Sequence, residues 1–247
     1  MQTTPDWIVP DWPSVPGVRA VSTTRQGGVS RGRHAGMNPA DHVDDDPRAV
    51  AENRQQLGRV LKLPAEPVWL QQVHGTVVID AAASGVAPMA DAAYSCEAGV
   101  VCTVLTADCL PVLLTDTGGS CVAAAHAGWR GLAAGVIEQA VAVLDRPAEE
   151  IQAWLGPAIG PDAFQVGSEV RDVFMTHDPA AAAAFRQAPD GSWYADIYQL
   201  ARQRLADSGV NAVFGGGLCT FSDAERFYSY RRDGITGRMA SLIWLER

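Results

Sequence analysis

The chain has almost no lysine: Lys62 stands alone against eighteen arginines in 247 residues. Lys62 is followed by Leu63, not by serine or threonine, so a lysine-based phosphate loop or a Schiff-base enzyme is all but excluded. Histidine is scarce too. The five histidines form no HxH pair, which argues against a true multicopper oxidase, and there is neither a CxxC nor an HExxH motif. No apolar run approaches the length needed to span a bilayer, and the N-terminal MQTTPDWIVPDWPSVPG carries no basic or apolar leader segment. These absences read as a cytoplasmic chain. Five cysteines, an odd number in a chain too long to need staples, read as reduced thiols.

An apolar fraction of 47% with 19% charged residues is that of a globular protein with a sizeable core. The net charge of −9 opposes broad contact with nucleic acid or an anionic membrane, while leaving room for arginines to hold a small anion. Residues 1–17, rich in proline and tryptophan, read as an irregular arm, and VRAVSTTR as a first strand ending at the turn QGGVSRG. In DHVDDDP, Asp46 before Pro47 is an N-cap pattern that predicts a helix from Pro47 to Leu61. VWLQQVHGTVVID and GVVCTVLTADCLPVLLTD are β-rich, with Pro111 requiring a bulge, an edge or a strand end. Strands are also expected at IQAWL, NAVFGGG and RMASLIWL, and helices over LAAGVIEQAVAVL, SEVRDVFMTH and DIYQLARQRLADSG. The expectation is an α/β (mixed α+β) fold, with one domain over 18–247 and a central sheet layer flanked by helices.

The segment AAHAGWRGLAAG, from Ala124 to Gly135, turns a buried strand directly into a helix and crowds His126, Trp129 and Arg130 at the corner. Such a corner exposes free N–H groups and attracts anions. His74 in QQVHG also sits beside glycine at a strand end, and Cys109 in TADCLPV lies between the two histidines in sequence. His74, Cys109 and His126 would make a first shell for catalytic zinc with one position open to water, although their long spacing is a weak signal alone.

The combination TTRQGGVS, QQVHG, TADCLPVLL, HAGWRG, LGPAIG and FYSYRRDGITGR resembles the laccase-domain family, first described as polyphenol oxidases and later as purine nucleoside phosphorylases. The resemblance spans about residues 18–245 and implies that His74, Cys109 and His126 bind zinc. It further implies phosphorolysis of adenosine, inosine and methylthioadenosine, deamination of adenosine, copper-dependent phenol oxidation in some members, and a fold similar to that of a bacterial toxin deamidase. The chain departs from the family pattern in RGRHAGMNPADH, where His34 takes an aromatic position and Pro39 and Ala40 replace leucine and glycine.

Phosphate-binding candidates are Arg130 at the helix start and Arg25 at the end of the first strand, together with Tyr228, Arg231 and Arg238 of the C-terminal motif. Asp108 either hydrogen-bonds a ligand histidine or caps its turn. Trp129 reads as packing more than base stacking. The partners expected are a nucleoside and phosphate. The same residues also fit a metal-free cysteine hydrolase, with Cys109 as nucleophile, His126 as base and Asp108 as orienter. Two histidines and a cysteine suit copper as well, and a closed fourth ligand would instead mark a zinc-stabilised binding module.

Overall fold

A computed structural model describes residues 6–246. The first five residues of the sequence-read arm and Arg247 lie outside the described residues. Residues 6–17 carry no regular element, but they are fastened to the strands behind them: Ile8 bridges Ser22, and Asp11 accepts from the Trp154 indole at 3.0 Å.

Among the described residues twelve strands form three sheets. The largest contains six: β2 (Val78–Asp80), β3 (Ala92–Ser95), β5 (Leu110–Asp116), β6 (Val122–Ala127), β7 (Ile151–Leu155) and β11 (Ala212–Gly215). Their spatial order is β11-β7-β5-β6-β3-β2, antiparallel at the centre and parallel at both edge pairs. A second sheet orders β1 (Val18–Ser22), β12 (Met239–Leu245) and β4 (Val101–Thr106), with β12 in the middle. A small third sheet joins β8 (Gln165–Val166), β10 (Trp193–Ala195) and β9 (Phe185–Gln187). The central layer is therefore double, which the sequence did not suggest.

Side-chain alternation explains why the middle strands read as continuous apolar runs. On β5, Leu110, Val112 and Leu114 point to one core and Leu113 to another; on β6, Ala123 and Ala125 oppose Val122 and Ala124. The first core lies under α2 (Trp129–Ala134), α3 (Val136–Ala142), α4 (Ser168–His177) and α5 (Ile197–Asp207). The second fills the space between the two larger sheets, with Cys102, Val104 and Ile243 opposite Leu113 and Trp154. The outer face of the three-stranded sheet is covered by α1 (Pro47–Leu61) through Leu57 and Leu61. A short α6 (Tyr230–Asp233) precedes the last strand.

The helix over Pro47–Leu61 forms as expected, with the Asp46 carboxylate accepting from the Arg48 N–H at 2.9 Å. α4 also matches its sequence range. Three expectations need correction. The helix after HAGWRG is broken at Gly135, whose φ of +104° ends α2 and starts α3. Much of VWLQQVHGTVVID is irregular loop: only Val78–Asp80 pairs regularly, with single bridges at Val68 and Gln71. Finally, the thiols are not all free, because Cys96 and Cys121 form a disulfide. They flank the Ser95–Val122 pair of β3 and β6, which brings their Cα atoms to 4.1 Å and within bridging reach.

Candidate metal centre and cleft

Three chain segments converge at one end of the β5–β6 hairpin. The His74 loop precedes β2, Cys109 occupies the turn between β4 and β5, and His126 lies near the end of β6. One donor atom from each lies within 4.8 Å of the other two, and Cys109 Sγ is 3.8 Å from His74 Nε2. Donors on a tetrahedral zinc shell sit roughly 3.4–3.8 Å apart, as bond lengths of about 2.0–2.3 Å require. His74, Cys109 and His126 thus form a three-donor group able to hold a metal ion, and their imidazoles meet edge to face with centroids 4.8 Å apart.

Glycine makes the convergence possible. A Cβ on Gly128 would stand 2.8 Å from His74 Cδ2 and 3.0 Å from Cys109 Sγ, and one on Gly131 would stand 2.7 Å from the Gly75 carbonyl oxygen. His74 itself has φ +61°, a backbone state unusual for a residue with a side chain.

The carboxylate at this centre is Asp91, which the sequence reading missed. Asp91 is fully buried. Its Oδ1 accepts from the His74 N–H at 2.9 Å and pairs with His126 Nδ1 at 2.8 Å; its Oδ2 accepts from the N–H groups of Val73 at 3.3 Å and Gly75 at 2.6 Å. In MADAAYS it looks like an ordinary turn aspartate, and its partners are 16–35 residues away in sequence. The one available signal was a carboxylate inside an apolar strand start, which must be paired if buried.

Asp108 fills neither of the two roles read from the sequence: it touches no ligand histidine and does not cap its own turn. With φ +89° its carboxylate accepts from Thr220 Oγ1 at 2.6 Å and from the Arg231 N–H at 2.6 Å, which ties its turn to the first turn of α6, a helix capped by Ser229.

Without metal, the thiol and imidazole polarise one another. Burial opposes ionisation of Cys109, but the His126 charge and hydrogen bonds from both imidazoles outweigh it and bring the thiol down to about 6. Burial equally opposes the His126 imidazolium, while the Cys109 thiolate and Asp91 raise that group to about 9.

The centre opens into a cleft of about 500 Å³. Three arginines line it, each stacked on a cleft aromatic: Arg130 on Trp129 at 4.4 Å, Arg231 on Phe164 at 5.7 Å and Arg238 on Tyr230 at 6.0 Å. Leu105, Ile159 and Ile197 add an apolar wall. His42 also lines the cleft, its pKa lowered by burial and by the charge of Arg238. Trp129 therefore presents a face to the cleft and is not solely packing.

Two candidates lie elsewhere. Tyr228 is fully buried, with its hydroxyl directed at the carbonyls of His34 and Ala35 at 2.9 and 3.1 Å, so it has nothing to offer a ligand. The cleft tyrosine is Tyr230. Arg25 stacks on the Tyr228 ring at 4.7 Å and donates to the Ala224 carbonyl at 3.2 Å, outside the cleft lining. His34, at the family's aromatic position, is buried beside Asp45 and lies outside the cleft lining. Among the described residues no helix is long and apolar enough to cross a membrane.

Comparisons with known proteins agree with this architecture. Residues 19–246 match the family described as multi-copper polyphenol oxidoreductase laccase. A protein of Pseudomonas aeruginosa named purine nucleoside phosphorylase is 56% identical over 241 residues, covering 97% of this chain and 98% of its own. The purine nucleoside phosphorylase YfiH of Escherichia coli is 55% identical over 239 residues, covering 96% and 98%. A crystal structure of a Neisseria meningitidis protein superposes with a TM-score of 0.95 at 49% identity, covering 98% of this chain and 100% of that one. YlmD from Geobacillus stearothermophilus superposes at 0.92 with 30% identity, covering 100% and 98%. The chain therefore belongs to the multi-copper polyphenol oxidoreductase laccase family, several of whose members carry the name purine nucleoside phosphorylase.

Proposed function

We propose that this chain is a zinc-dependent purine nucleoside phosphorylase of the cytoplasm. Its substrates are adenosine, inosine and methylthioadenosine, and it also deaminates adenosine. The observation that carries the reading is a three-donor group with a thiolate, opening into a cleft whose cationic groups are arginines. Two imidazoles and a thiolate suit zinc, and three protein ligands leave the fourth position for water or substrate. A bound zinc ion supplies a Lewis acid and, for deamination, an activated water.

In phosphorolysis an oxygen of phosphate bonds to the anomeric carbon of the ribose while the bond to the purine nitrogen breaks, and the base departs with a proton. The chain's own part is positional and electrostatic. Arg130, Arg231 and Arg238 hold the phosphate dianion at fixed charges before reaction, which lowers the barrier without reorganisation. α2 has only six residues, so charge attraction at this corner rests on the Arg130 guanidinium more than on a helix dipole. Trp129, Phe164 and the apolar wall offer the purine a dry surface.

A second reading is favoured by one specific contact. Asp91, His126 and Cys109 are arranged as orienter, base and nucleophile of a metal-free cysteine hydrolase, with Asp91 in the place the sequence assigned to Asp108.

The deciding experiment is metal analysis of protein purified without added metal, followed by product analysis with adenosine and phosphate. Zinc with ribose 1-phosphate and adenine as products supports the proposal. Copper instead of zinc would favour phenol oxidation. Activity abolished by alkylation of Cys109 but untouched by chelation, in protein shown to be metal-free, would establish the hydrolase reading.

A further inference from the structure

Resting on the zinc reading above, we propose that Asp91 is a positioning residue that sets two of the three metal ligands at once. His74, in a loop, and His126, on β6, lie 52 residues apart in sequence, and one carboxylate touches both. Toward His126 it accepts the Nδ1–H, which leaves Nε2 as the lone-pair nitrogen for the metal. Toward His74 it gathers three consecutive backbone N–H groups, from Val73 to Gly75, and so holds the loop in the left-handed conformation that aims the His74 ring.

The main chain reinforces the register. The Asp91 N–H donates to the Val77 carbonyl at 3.0 Å, and the His126 N–H donates to the Asp91 carbonyl at 2.7 Å. A carboxylate has about four acceptor sites, and here four donors meet them in a fully buried place. Asparagine cannot substitute: its single oxygen serves half of these donors, and its NH₂ would face N–H groups. Glutamate adds a methylene at a fully buried position and shifts both oxygens away from these four donors. The side chain is therefore specific to the task, and a plain turn cap would not need contact with an imidazole.

The test is Asp91→Asn, with folding followed by circular dichroism and zinc affinity by competition against a chromogenic chelator. The expected result is a zinc affinity lowered about 10–100-fold in folded protein, the usual effect of losing such a partner. Equal affinity in variant and parent overturns the proposal. If the variant does not fold, ¹H–¹⁵N correlation of the imidazoles in the zinc-loaded parent decides. A proton held on His126 Nδ1 with Nε2 bound supports the assignment, and Nδ1 as the metal-bound nitrogen overturns it. A parent that binds no zinc refutes the zinc reading itself, and Asp91 then has no ligands to position; zinc binding insensitive to Asp91→Asn refutes the positioning role alone.

Discussion

Gly128→Ala tests whether the site depends on the close approach of the HAGWRG corner to its ligands. Gly128 has φ −63°, which alanine adopts freely, so the backbone itself does not resist the change. Alanine is a poorer N-cap than glycine by up to about 1 kcal/mol, but it stiffens the unfolded chain by about 0.4–1 kcal/mol, and the two nearly cancel. The new methyl would stand 2.8 Å from His74 Cδ2 and 3.0 Å from Cys109 Sγ. Comfortable carbon contacts lie at about 3.5–4.0 Å, so each ligand must retreat by roughly 0.5–1 Å. Metal sites tolerate only about 0.2 Å. The His74 side chain is exposed and Cys109 partly so, and both can swing outward at little cost to the fold. Zinc affinity is therefore expected to fall at least tenfold, about 1.4 kcal/mol, while the melting temperature of metal-free protein stays within a few degrees of the parent. Chelator competition and calorimetry on one preparation measure both. Gly131→Ala is the contrast, since its methyl would meet the Gly75 carbonyl at 2.7 Å, a backbone group that cannot rotate away, and overpacking there should cost about 1–3 kcal/mol of stability. Parental zinc affinity in Gly128→Ala would refute the argument.

Arg130→Ala should slow phosphate-dependent cleavage of adenosine or inosine by about tenfold to a thousandfold, with metal content unchanged and deamination affected less; steady-state rates at varied phosphate check this, and equal loss of both reactions would mark Arg130 as structural. In metal-free protein the lowered thiol pKa leaves Cys109 mostly thiolate at pH 7, so its alkylation by iodoacetamide should be near its plateau there and fall only below about pH 6, whereas an ordinary thiol with a pKa of about 8.5 would already have slowed. Mass spectrometry separates Cys109 from Cys102, which is fully buried with its thiol pushed up by that burial and should stay unlabelled. Leu113→Ala empties a fully buried position between the two larger sheets and should cost about 2–5 kcal/mol, read as a melting temperature lowered by roughly 5–15 °C without loss of zinc stoichiometry.

Local signals carried the sequence reading where structure is locally determined. Asp46 with Pro47 marks the start of α1 because a cap and a preset φ act within four residues. The Gly135 break was hidden because apolar spacing continues across it, so periodicity reports the face of a helix and not its continuity. In the C-terminal motif the error was one of two positions: Tyr228 and Tyr230 look equivalent in FYSYRRD, but Tyr228 precedes α6 in the core and Tyr230 opens it at the cleft. The Cys96–Cys121 pair depends on the register of β3 against β6, and an odd cysteine count could not exclude it. Asp91 was invisible for the same reason: its role exists only once the His74 loop and β6 are adjacent.

The two sides of the cleft are tied together by the same device used twice. His74 and Asp108 both have positive φ, at +61° and +89°, and such residues cost about 1–3 kcal/mol each unless their surroundings fix them. Asp91 fixes the first with three N–H contacts to a carboxylate. The second is fixed through its own carboxylate on Thr220 and the Arg231 N–H, and through its carbonyl, which accepts from Ile159 at 2.9 Å. Hydrogen bonds to a charged group contribute about 1.5–3 kcal/mol each, so two or three of them outweigh the strain at either residue. The consequence is geometric. The turn that carries Cys109 is bolted to the segment carrying Tyr230, Arg231 and Arg238, so the distance between the three-donor group and these cleft arginines is set by hydrogen bonds and not by loop flexibility. The proposed phosphorolysis, which would hold phosphate and a departing base on opposite sides of one sugar carbon, needs that distance fixed.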